Sequence, residues 1–228
     1  MSNGLYISEI FESIDGEVTG HYQGRLTTFI RLAGCSLKCN WGCDTPYAMD
    51  KSEAKYMNID DITLEIEKIG NHNLTITGGE PLEQVVSLCA LLEPLIDDYS
   101  INIETNGVMS IPERLQNGIT YTMDYKLPSS GFDKKKHHNL DNYKCLRSED
   151  FIKFVILTEQ DYKEAIKAKR RFQRDEDTQF VNFAFGLVNN GMYPNCEFTY
   201  KTLIKRLQED KQYDVIVNVQ LHKLLNLK

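Results

Sequence analysis

Residues 27–43 read TTFIRLAGCSLKCNWGC, and this stretch predicts both the fold and the place of the functional site. Its first part, 27–32, is apolar and rich in β-branched residues, as is typical of a strand buried on both faces. Three cysteines, Cys35, Cys39 and Cys43, follow on one loop. In α/β proteins, sites lie at the carboxyl ends of strands. The sequence therefore predicts a thiol-bearing site at the end of a buried strand.

Similar apolar runs recur along the chain, at 74–77, 101–104, 120–124, 152–157, 180–185 and 215–219. Helical patterns lie between several of them, at 59–69, 82–96, 159–172 and 199–208. This alternation predicts an α/β fold with a largely parallel sheet. About six such units are fewer than the eight of a closed (β/α)₈ barrel, so we expect an incomplete barrel. The polar segment 129–150 predicts a loop with at most a short helix.

The bulk composition narrows the class of protein. With 228 residues, 41% hydrophobic, the chain can bury a sizeable core, and we expect one domain over residues 1–228. A formal net charge of -7 argues against a nucleic-acid surface and favours a small-molecule substrate. The sequence shows neither a secretory signal nor a run of about 18 apolar residues, which predicts a cytoplasmic protein away from membranes.

The cysteine spacing indicates metal binding. Three of the six cysteines fall within nine residues, and in a reducing compartment such a cluster favours a metal or catalytic site over disulfides. Thiolates are soft ligands that suit zinc or iron–sulfur clusters. A structural zinc site usually has four protein ligands, and only three are local here. A zinc knuckle therefore remains open, with a fourth ligand from Cys89, Cys145 or His21.

The cysteine loop resembles the signature of the radical S-adenosylmethionine enzymes, C-x3-C-x2-C with an aromatic residue before the last cysteine. Trp41 occupies the aromatic position, but Gly42 is inserted before Cys43, which gives C-x3-C-x3-C. Glycine can adopt backbone angles that let the extra residue bulge outward. The resemblance implies a [4Fe–4S] cluster on Cys35, Cys39 and Cys43, with one iron left open for the amino and carboxylate groups of S-adenosylmethionine. It also implies the incomplete barrel of the radical S-adenosylmethionine enzymes.

Loops after later strands strengthen this resemblance. Gly78, Gly79 and Glu80 match the GGE motif that holds the amino group of the methionine moiety. In the same family, residues that match this chain's next polar loops line the cofactor site or reach its carboxylate or ribose. The matching positions are Glu104, Thr105, Asn106, Lys126 and Ser129.

Three further segments resemble the 7-carboxy-7-deazaguanine synthases: EIFESIDGE at 9–17, CDT at 43–45 and QLHK at 220–223. The resemblance runs in order over nearly the whole chain. It implies conversion of 6-carboxy-5,6,7,8-tetrahydropterin to 7-carboxy-7-deazaguanine with loss of ammonia, in queuosine-type deazapurine biosynthesis. It further implies a requirement for S-adenosylmethionine, the cluster and Mg²⁺, a flavodoxin or ferredoxin as reductant, and a homodimer.

The resemblance also assigns residues to the substrate. Arg31 matches the arginine that pairs with the substrate carboxylate, Glu17 the acidic residue near the pterin ring, and His222 a histidine of the same pocket. A carboxylate calls for a cation and a guanidine-like edge for an acceptor, so these residue types fit. A structural pairing of Arg31 within its strand remains an alternative.

Thr45 matches a hydroxyl ligand to Mg²⁺, which prefers oxygen ligands, and Asp44 stands beside it. Two departures from the family pattern fall near the substrate edge, where Asp15 replaces a glutamine and Val18 replaces a glycine. Two other functions stay open. An activase of glycyl-radical enzymes would share the cysteine loop and GGEP but lack DGE and QLHK, and a zinc-stabilised binding module would have no catalysis.

Overall fold

The computed structural model describes residues 3–20, 22–132, 138–178 and 180–228. Within them, nine strands form one sheet in the order β3-β1-β2-β4-β5-β6-β7-β8-β9. The strands are β1 (Gly4–Ile14), β2 (Leu26–Leu32), β3 (Lys55–Asn58), β4 (Asn73–Gly78), β5 (Ser100–Thr105), β6 (Ile119–Asp124), β7 (Phe151–Ile156), β8 (Asn182–Leu187) and β9 (Val215–Asn218).

Seven of the nine strands are parallel neighbours. Strand β2 pairs in parallel with β4, and each strand from β4 to β8 pairs in parallel with the next one along the chain. This arrangement confirms the α/β prediction. The antiparallel strands β1 and β3 extend the sheet beyond β2 and were not foreseen. Most of β1 is only half-buried, so it lacks the continuous apolar run by which the other strands are recognised.

The helices are α1 (Ile59–Ile69), α2 (Val85–Leu92), α3 (Leu140–Lys144), α4 (Glu159–Phe172), α5 (Tyr200–Glu209) and α6 (Leu221–Leu224). The helix predicted at 82–96 is instead α2 flanked by two 3-10 turns, Pro81–Gln84 and Glu93–Leu95. Pro94, the second residue of the later turn, lacks the N–H that a helix continuing from α2 would need. The predicted loop at 129–150 does contain one short helix, α3, and its residues 133–137 lie outside the described residues.

The two faces of the sheet differ in polarity. Along β4, β5 and β7, Ile76, Ile103 and Phe154 are fully buried in the hydrophobic core. The residues that alternate with them, such as Thr75 and Lys153, are polar and also buried. Because successive side chains of a strand point to opposite faces, one face packs in the core and the other forms a polar interior. No helix in the described ranges is long and apolar enough to cross a membrane.

Candidate functional site at the carboxyl ends of the strands

A cavity of about 510 Å³ opens at the carboxyl ends of the parallel strands. In a flat sheet β2 and β9 would lie about 29 Å apart, at about 4.8 Å per strand. All seven parallel strands nevertheless contribute to one wall, so the sheet curls around the cavity as an incomplete barrel, as the sequence predicted. The terminal or penultimate residues in the wall are Arg31, Gly78, Thr105, Asp124, Val155, Leu187 and Asn218.

The cavity brings together all but two of the residues that the sequence assigned to a site. Glu80 and Ser129 do not line it. The two ends of the chain meet there, since Gln220 Nε2 donates a hydrogen bond to Glu17 Oε1 across 203 positions at 2.7 Å. The assigned residues in its wall are Glu17, Arg31, Cys35, Cys39, Cys43, Thr45, Gly78, Gly79, Glu104, Thr105, Asn106, Lys126 and His222.

The cysteine loop is fixed at its base. The Gly34 N–H donates to the Ala48 carbonyl at 2.9 Å, and the Cys35 N–H donates to the Met49 carbonyl at 3.2 Å. All three thiols of the loop are free and partly exposed, and all three face the cavity. Burial raises the pKa of Cys35 to about 11, so as a lone thiol it stays protonated, whereas coordination to iron would displace the proton.

Gly42, the inserted residue of the cysteine loop, sits in a turn closed by its N–H and the Cys39 carbonyl at 3.0 Å. Its φ of +80° lies in the left-handed region that favours glycine, and a Cβ built there would meet nothing within 4 Å. The loop thus takes up the extra residue as a turn that projects into open space.

The glycine pair after β4 lies against the cysteine loop. A Cβ on Gly78 would come within 2.0 Å of the Leu32 carbonyl oxygen, and one on Gly79 within 2.2 Å of the Gly34 carbonyl oxygen. The Gly79 N–H donates to the Leu32 carbonyl at 2.9 Å. Only residues without a side chain permit this approach of two loops at the cavity wall.

Glu80 is buried beside the wall rather than in it. Its carboxylate accepts hydrogen bonds from Thr105 Oγ1 and the Asn106 N–H, both at 2.7 Å, and from the Leu82 N–H at 3.0 Å. Burial raises the pKa of Glu80 to about 7, against the opposing effect of these donors. Glu80 therefore ties the GGE loop to the end of β5 and caps the following turn.

Ser129 lies in a short 3-10 turn after β6, behind the wall. Its N–H donates to Asp161 Oδ1 at 2.9 Å, and the same carboxylate caps α4 through its other oxygen. The neighbouring Ser130 carbonyl accepts the Asn40 N–H of the cysteine loop at 3.1 Å. The structure thus gives this segment a role in holding the loop.

Arg31 lies in the cavity wall and is also paired within the sheet. It is directly opposite Glu9 in the β1–β2 register, and its Nε donates to Glu9 Oε1 at 2.9 Å. Tyr47 donates to the same oxygen at 2.9 Å, and Lys228 forms a second ion pair with Glu9. This pairing engages Nε and orients the guanidinium, whose Nη groups remain the donors suited to a carboxylate.

The DGE and QLHK segments, far apart in the sequence, pack together. A Cβ on Gly16 would overlap the His222 ring, 1.9 Å from Nδ1, so a side chain there would displace the ring. The Leu221 N–H donates to the Gly16 carbonyl at 2.8 Å. Burial lowers the pKa of His222, and Lys223 acts in the same direction against the nearby Glu17. His222 is therefore a neutral ring at neutral pH.

The sequence assigned no individual role to four residues of the cavity wall: Lys153, Asp124, Asn218 and Gln220. Lys153 Nζ contacts Glu17 Oε2 at 2.6 Å and Asp124 Oδ1 at 3.2 Å. Asn218 Nδ2 donates to Glu17 at 3.0 Å. The signal that could have found Lys153 is a lysine inside the apolar strand FIKFVI, where only a partnered charge is tolerated.

Glu104 is a second buried carboxyl of the polar interior. Thr77 Oγ1 donates to its Oε2 at 2.7 Å. Burial raises its pKa to about 7, and the negative charge of Glu17 adds to the rise while Lys153 opposes it. Near neutral pH, Glu104 is thus divided between its acid and carboxylate forms.

Asp44 and Thr45 follow Cys43 in the cavity wall. Thr45 Oγ1 is 3.4 Å from Cys43 Sγ, and Asp44 Oδ2 is 3.3 Å from both Gln220 Nε2 and Lys223 Nζ. Asp15, by contrast, is buried without lining the cavity and accepts a hydrogen bond from Thr75 Oγ1 at 2.7 Å. This departure from the family pattern therefore does not touch the cavity wall.

The remaining cysteines lie elsewhere. Cys89 is buried in α2, Cys145 donates to the Asp141 carbonyl at 3.4 Å, and neither lines the cavity, nor does Cys196. His21, another possible fourth ligand, lies outside the described residues. Among the described side chains, no group of three His, Cys, Asp or Glu is placed to hold one ion. A [4Fe–4S] cluster differs because each thiolate binds a separate iron, and three free thiols around one cavity fit that donor set.

Comparison with known proteins agrees with this geometry. Residues 18–111 match the family described as a 4Fe-4S single cluster domain. The 7-carboxy-7-deazaguanine synthase of Clostridium acetobutylicum is 36% identical, with 96% of this chain and 95% of that protein covered. The synthase of the same name from Aquifex aeolicus is 33% identical, with coverages of 98% and 94%.

Two solved structures share the fold. The crystal structure of QueE from Escherichia coli superposes with a TM-score of 0.73 at 20% identity, covering 96% of this chain and 95% of that one. Streptococcus suis SuiB, bound to its precursor peptide, gives a TM-score of 0.55 at 16% identity over 81% of this chain and 46% of that one. Full-length identity above 30% to several synthases, together with the cysteine cavity, shows that this chain belongs to the 7-carboxy-7-deazaguanine synthase family.

Proposed function

We propose that this protein is a radical S-adenosylmethionine lyase that converts 6-carboxy-5,6,7,8-tetrahydropterin to 7-carboxy-7-deazaguanine and releases ammonia. The observation that carries this proposal is one cavity whose wall holds three free thiols together with an acid, an arginine and a histidine. Family membership favours this function over the activase and the zinc module. Bound there, a [4Fe–4S] cluster would supply the electron for reductive cleavage of S-adenosylmethionine, and the cavity residues would hold C6 of the pterin where hydrogen could be removed from it.

The cofactor side is formed by the loops after β2, β4, β5 and β6. Cys35, Cys39 and Cys43 hold the cluster, and Gly78 and Gly79 let the backbone approach the methionine moiety. Lys126, whose Nζ lies 2.6 Å from Asp124 Oδ2, offers its charge to the methionine carboxylate. The residues that complete this side are Glu80, Glu104, Thr105, Asn106 and Ser129. The GGE loop holds the methionine amino group, and Glu80 supports that loop from behind the wall through Thr105 and Asn106.

The substrate side is formed by β2 and the two chain ends. Arg31 pairs with the pterin carboxylate through its Nη groups while Glu9 holds Nε. Glu17 accepts N–H groups of the guanidine-like edge, because the ion pair with Lys153 holds its pKa below the ordinary range despite burial, which would raise it. His222 packs on Gly16 and closes the pocket over the ring. Together these residues orient C6 and exclude water.

The proposed enzyme also needs Mg²⁺, an electron donor and a second copy of the chain. Thr45 would hold Mg²⁺ through its hydroxyl, since this cation prefers oxygen ligands, and the neighbouring Asp44 would contribute negative charge. We infer that a flavodoxin or ferredoxin supplies electrons, that the chain acts as one domain, and that it forms a homodimer. Size-exclusion chromatography with light scattering tests the last point, and a monomer at working concentration would contradict it.

The test of function is anaerobic. The protein is reconstituted with iron and sulfide, reduced, and incubated with S-adenosylmethionine, Mg²⁺ and the carboxypterin. Formation of 7-carboxy-7-deazaguanine and ammonia is the expected outcome. A zinc-loaded sample serves as control, since zinc has no redox chemistry and should give no product. Iron-loaded protein that makes 5′-deoxyadenosine but leaves the carboxypterin unchanged would refute the substrate assignment.

A further inference from the structure

A chain of four charged side chains runs along the cavity wall. It consists of Glu17, Lys153, Asp124 and Lys126, and we call it the ion chain. Lys153 Nζ is shared between Glu17 Oε2 at 2.6 Å and Asp124 Oδ1 at 3.2 Å. Asp124 Oδ2 is 2.6 Å from Lys126 Nζ. None of the four side chains is more than a fifth exposed, so solvent screens these contacts weakly.

The ion chain alternates in sign and is held on three elements. Glu17 lies between β1 and β2, Lys153 is in β7, and Asp124 and Lys126 flank the end of β6. Burial alone would lower the pKa of Lys153, but Asp124 and Glu17 raise it well above its ordinary value. All four groups are therefore charged near neutral pH. Lys153 contacts two carboxylates and Asp124 contacts two ammonium groups, so each of them divides its electrostatic attraction between two partners.

A ligand that binds at one end of the ion chain therefore changes the contacts at the other end. A carboxylate that binds Lys126 competes with Asp124 for its charge. Asp124 then interacts more strongly with Lys153, its other cation. Lys153 is drawn away from Glu17, whose oxygens become better acceptors for N–H donors, since a carboxylate neutralised by an ammonium is a weaker acceptor.

We propose that Lys153 is a positioning residue that couples the two ligand sites, so that S-adenosylmethionine at Lys126 and the pterin edge at Glu17 each raise the affinity for the other. This inference rests on the proposed function, because it takes Lys126 to face the cofactor carboxylate and Glu17 the pterin. The coupling is reciprocal, as linkage between two binding equilibria requires. Its consequence is that the radical precursor and its target are bound together rather than singly.

The coupling can be measured without turnover. Reconstituted protein with the oxidised cluster and no reductant binds S-adenosylmethionine without cleaving it. Its dissociation constant is measured by anaerobic calorimetry with and without saturating carboxypterin, and the ratio of the two constants is the coupling factor. We expect at least about fivefold in the wild type, the lower end of typical coupling between two sites.

Two variants test the ion chain. Lys153→Met removes the shared charge at similar length, and Asp124→Asn removes the charge of the next link while it keeps the shape. Each should bring the coupling factor below about twofold, even where both affinities change, because the factor is a ratio. Lys169→Met is the matched control. Lys169 is also a buried lysine, paired with Asp214 at 2.7 Å, but it does not line the cavity and should leave the factor unchanged.

Thermal unfolding of each variant accompanies the binding experiment. If Lys153→Met does not fold, Asp124→Asn alone decides. A wild type with no coupling, or a folded variant of the ion chain with the full wild-type factor, would overturn the inference. Failure of the wild type to make product under reducing conditions, with coupling intact, would instead count against the proposed function and not against the coupling.

Discussion

The substitution Arg31→Ala separates the substrate side of the cavity from the cofactor side. A charged hydrogen-bonded contact contributes about 1.5–3 kcal/mol, which corresponds to roughly ten- to a hundredfold in binding of the carboxypterin. The fold should tolerate the change, because Glu9 keeps Tyr47 as a donor and Lys228 as an ion pair. We expect a loss of about 1 kcal/mol of unfolding free energy, or roughly 2–4 °C in Tm.

The assay is paired on the same reconstituted samples. One arm measures 7-carboxy-7-deazaguanine formed from the carboxypterin, and the other measures 5′-deoxyadenosine formed slowly without it. Arg31→Ala should weaken the first at least tenfold and leave the second intact. Arg31→Lys should recover only part of the loss, since an ammonium cannot make the planar two-pronged contact. Equal losses in both arms would place Arg31 in the fold or the cofactor site and refute the assignment.

Replacing any one of the three loop cysteines with alanine should abolish the absorption near about 400 nm and the cleavage of S-adenosylmethionine, whereas each cysteine outside the cavity should be replaceable. Gly42→Ala should cost only about 1 kcal/mol, for its left-handed backbone. Gly78→Ala should cost at least about 2 kcal/mol by urea unfolding, because its Cβ would meet the Leu32 carbonyl oxygen at 2.0 Å; equal costs would contradict this packing. Burial raises the pKa of Asp15 to about 6, so its ionisation opposes folding: the stability that goes with its protonated form is fully present below the unfolded pKa of 3.8 and is lost as pH rises through about 6. Asp15→Asn stays neutral and should gain up to about 3 kcal/mol over the wild type between acidic and neutral pH in the same assay, and an identical pH slope in both proteins would contradict the assignment.

The fold was largely predictable because its strands are buried on both faces. Such strands appear as short apolar runs, and all seven parallel strands were found in this way. Strand β1 escaped because it is half-buried and mixes polar with apolar residues. Strand β3 has only four residues, of which just Met57 is buried, so it leaves almost no pattern.

The site was predictable where a motif sits on one loop, as with Cys35, Cys39 and Cys43. It was less so where function depends on residues from separate strands that meet only in the folded barrel. Lys153 belongs to no local motif, and its partners Glu17 and Asp124 come from other elements. For Glu80 the motif was easily recognised in the sequence, but its buried position was not predictable. Its hydrogen bonds to Thr105 and Asn106 depend on how two loops pack together.

The most direct test of the central claim follows a single hydrogen atom. The carboxypterin is labelled with deuterium at C6 and incubated with the reduced, reconstituted protein and S-adenosylmethionine. If the cavity orients C6 toward the cofactor side, mass spectrometry should find the deuterium in 5′-deoxyadenosine and 7-carboxy-7-deazaguanine among the products. Unlabelled 5′-deoxyadenosine alongside a carboxypterin that keeps its deuterium would show that the cavity does not bring this substrate to the radical, and would contradict the account.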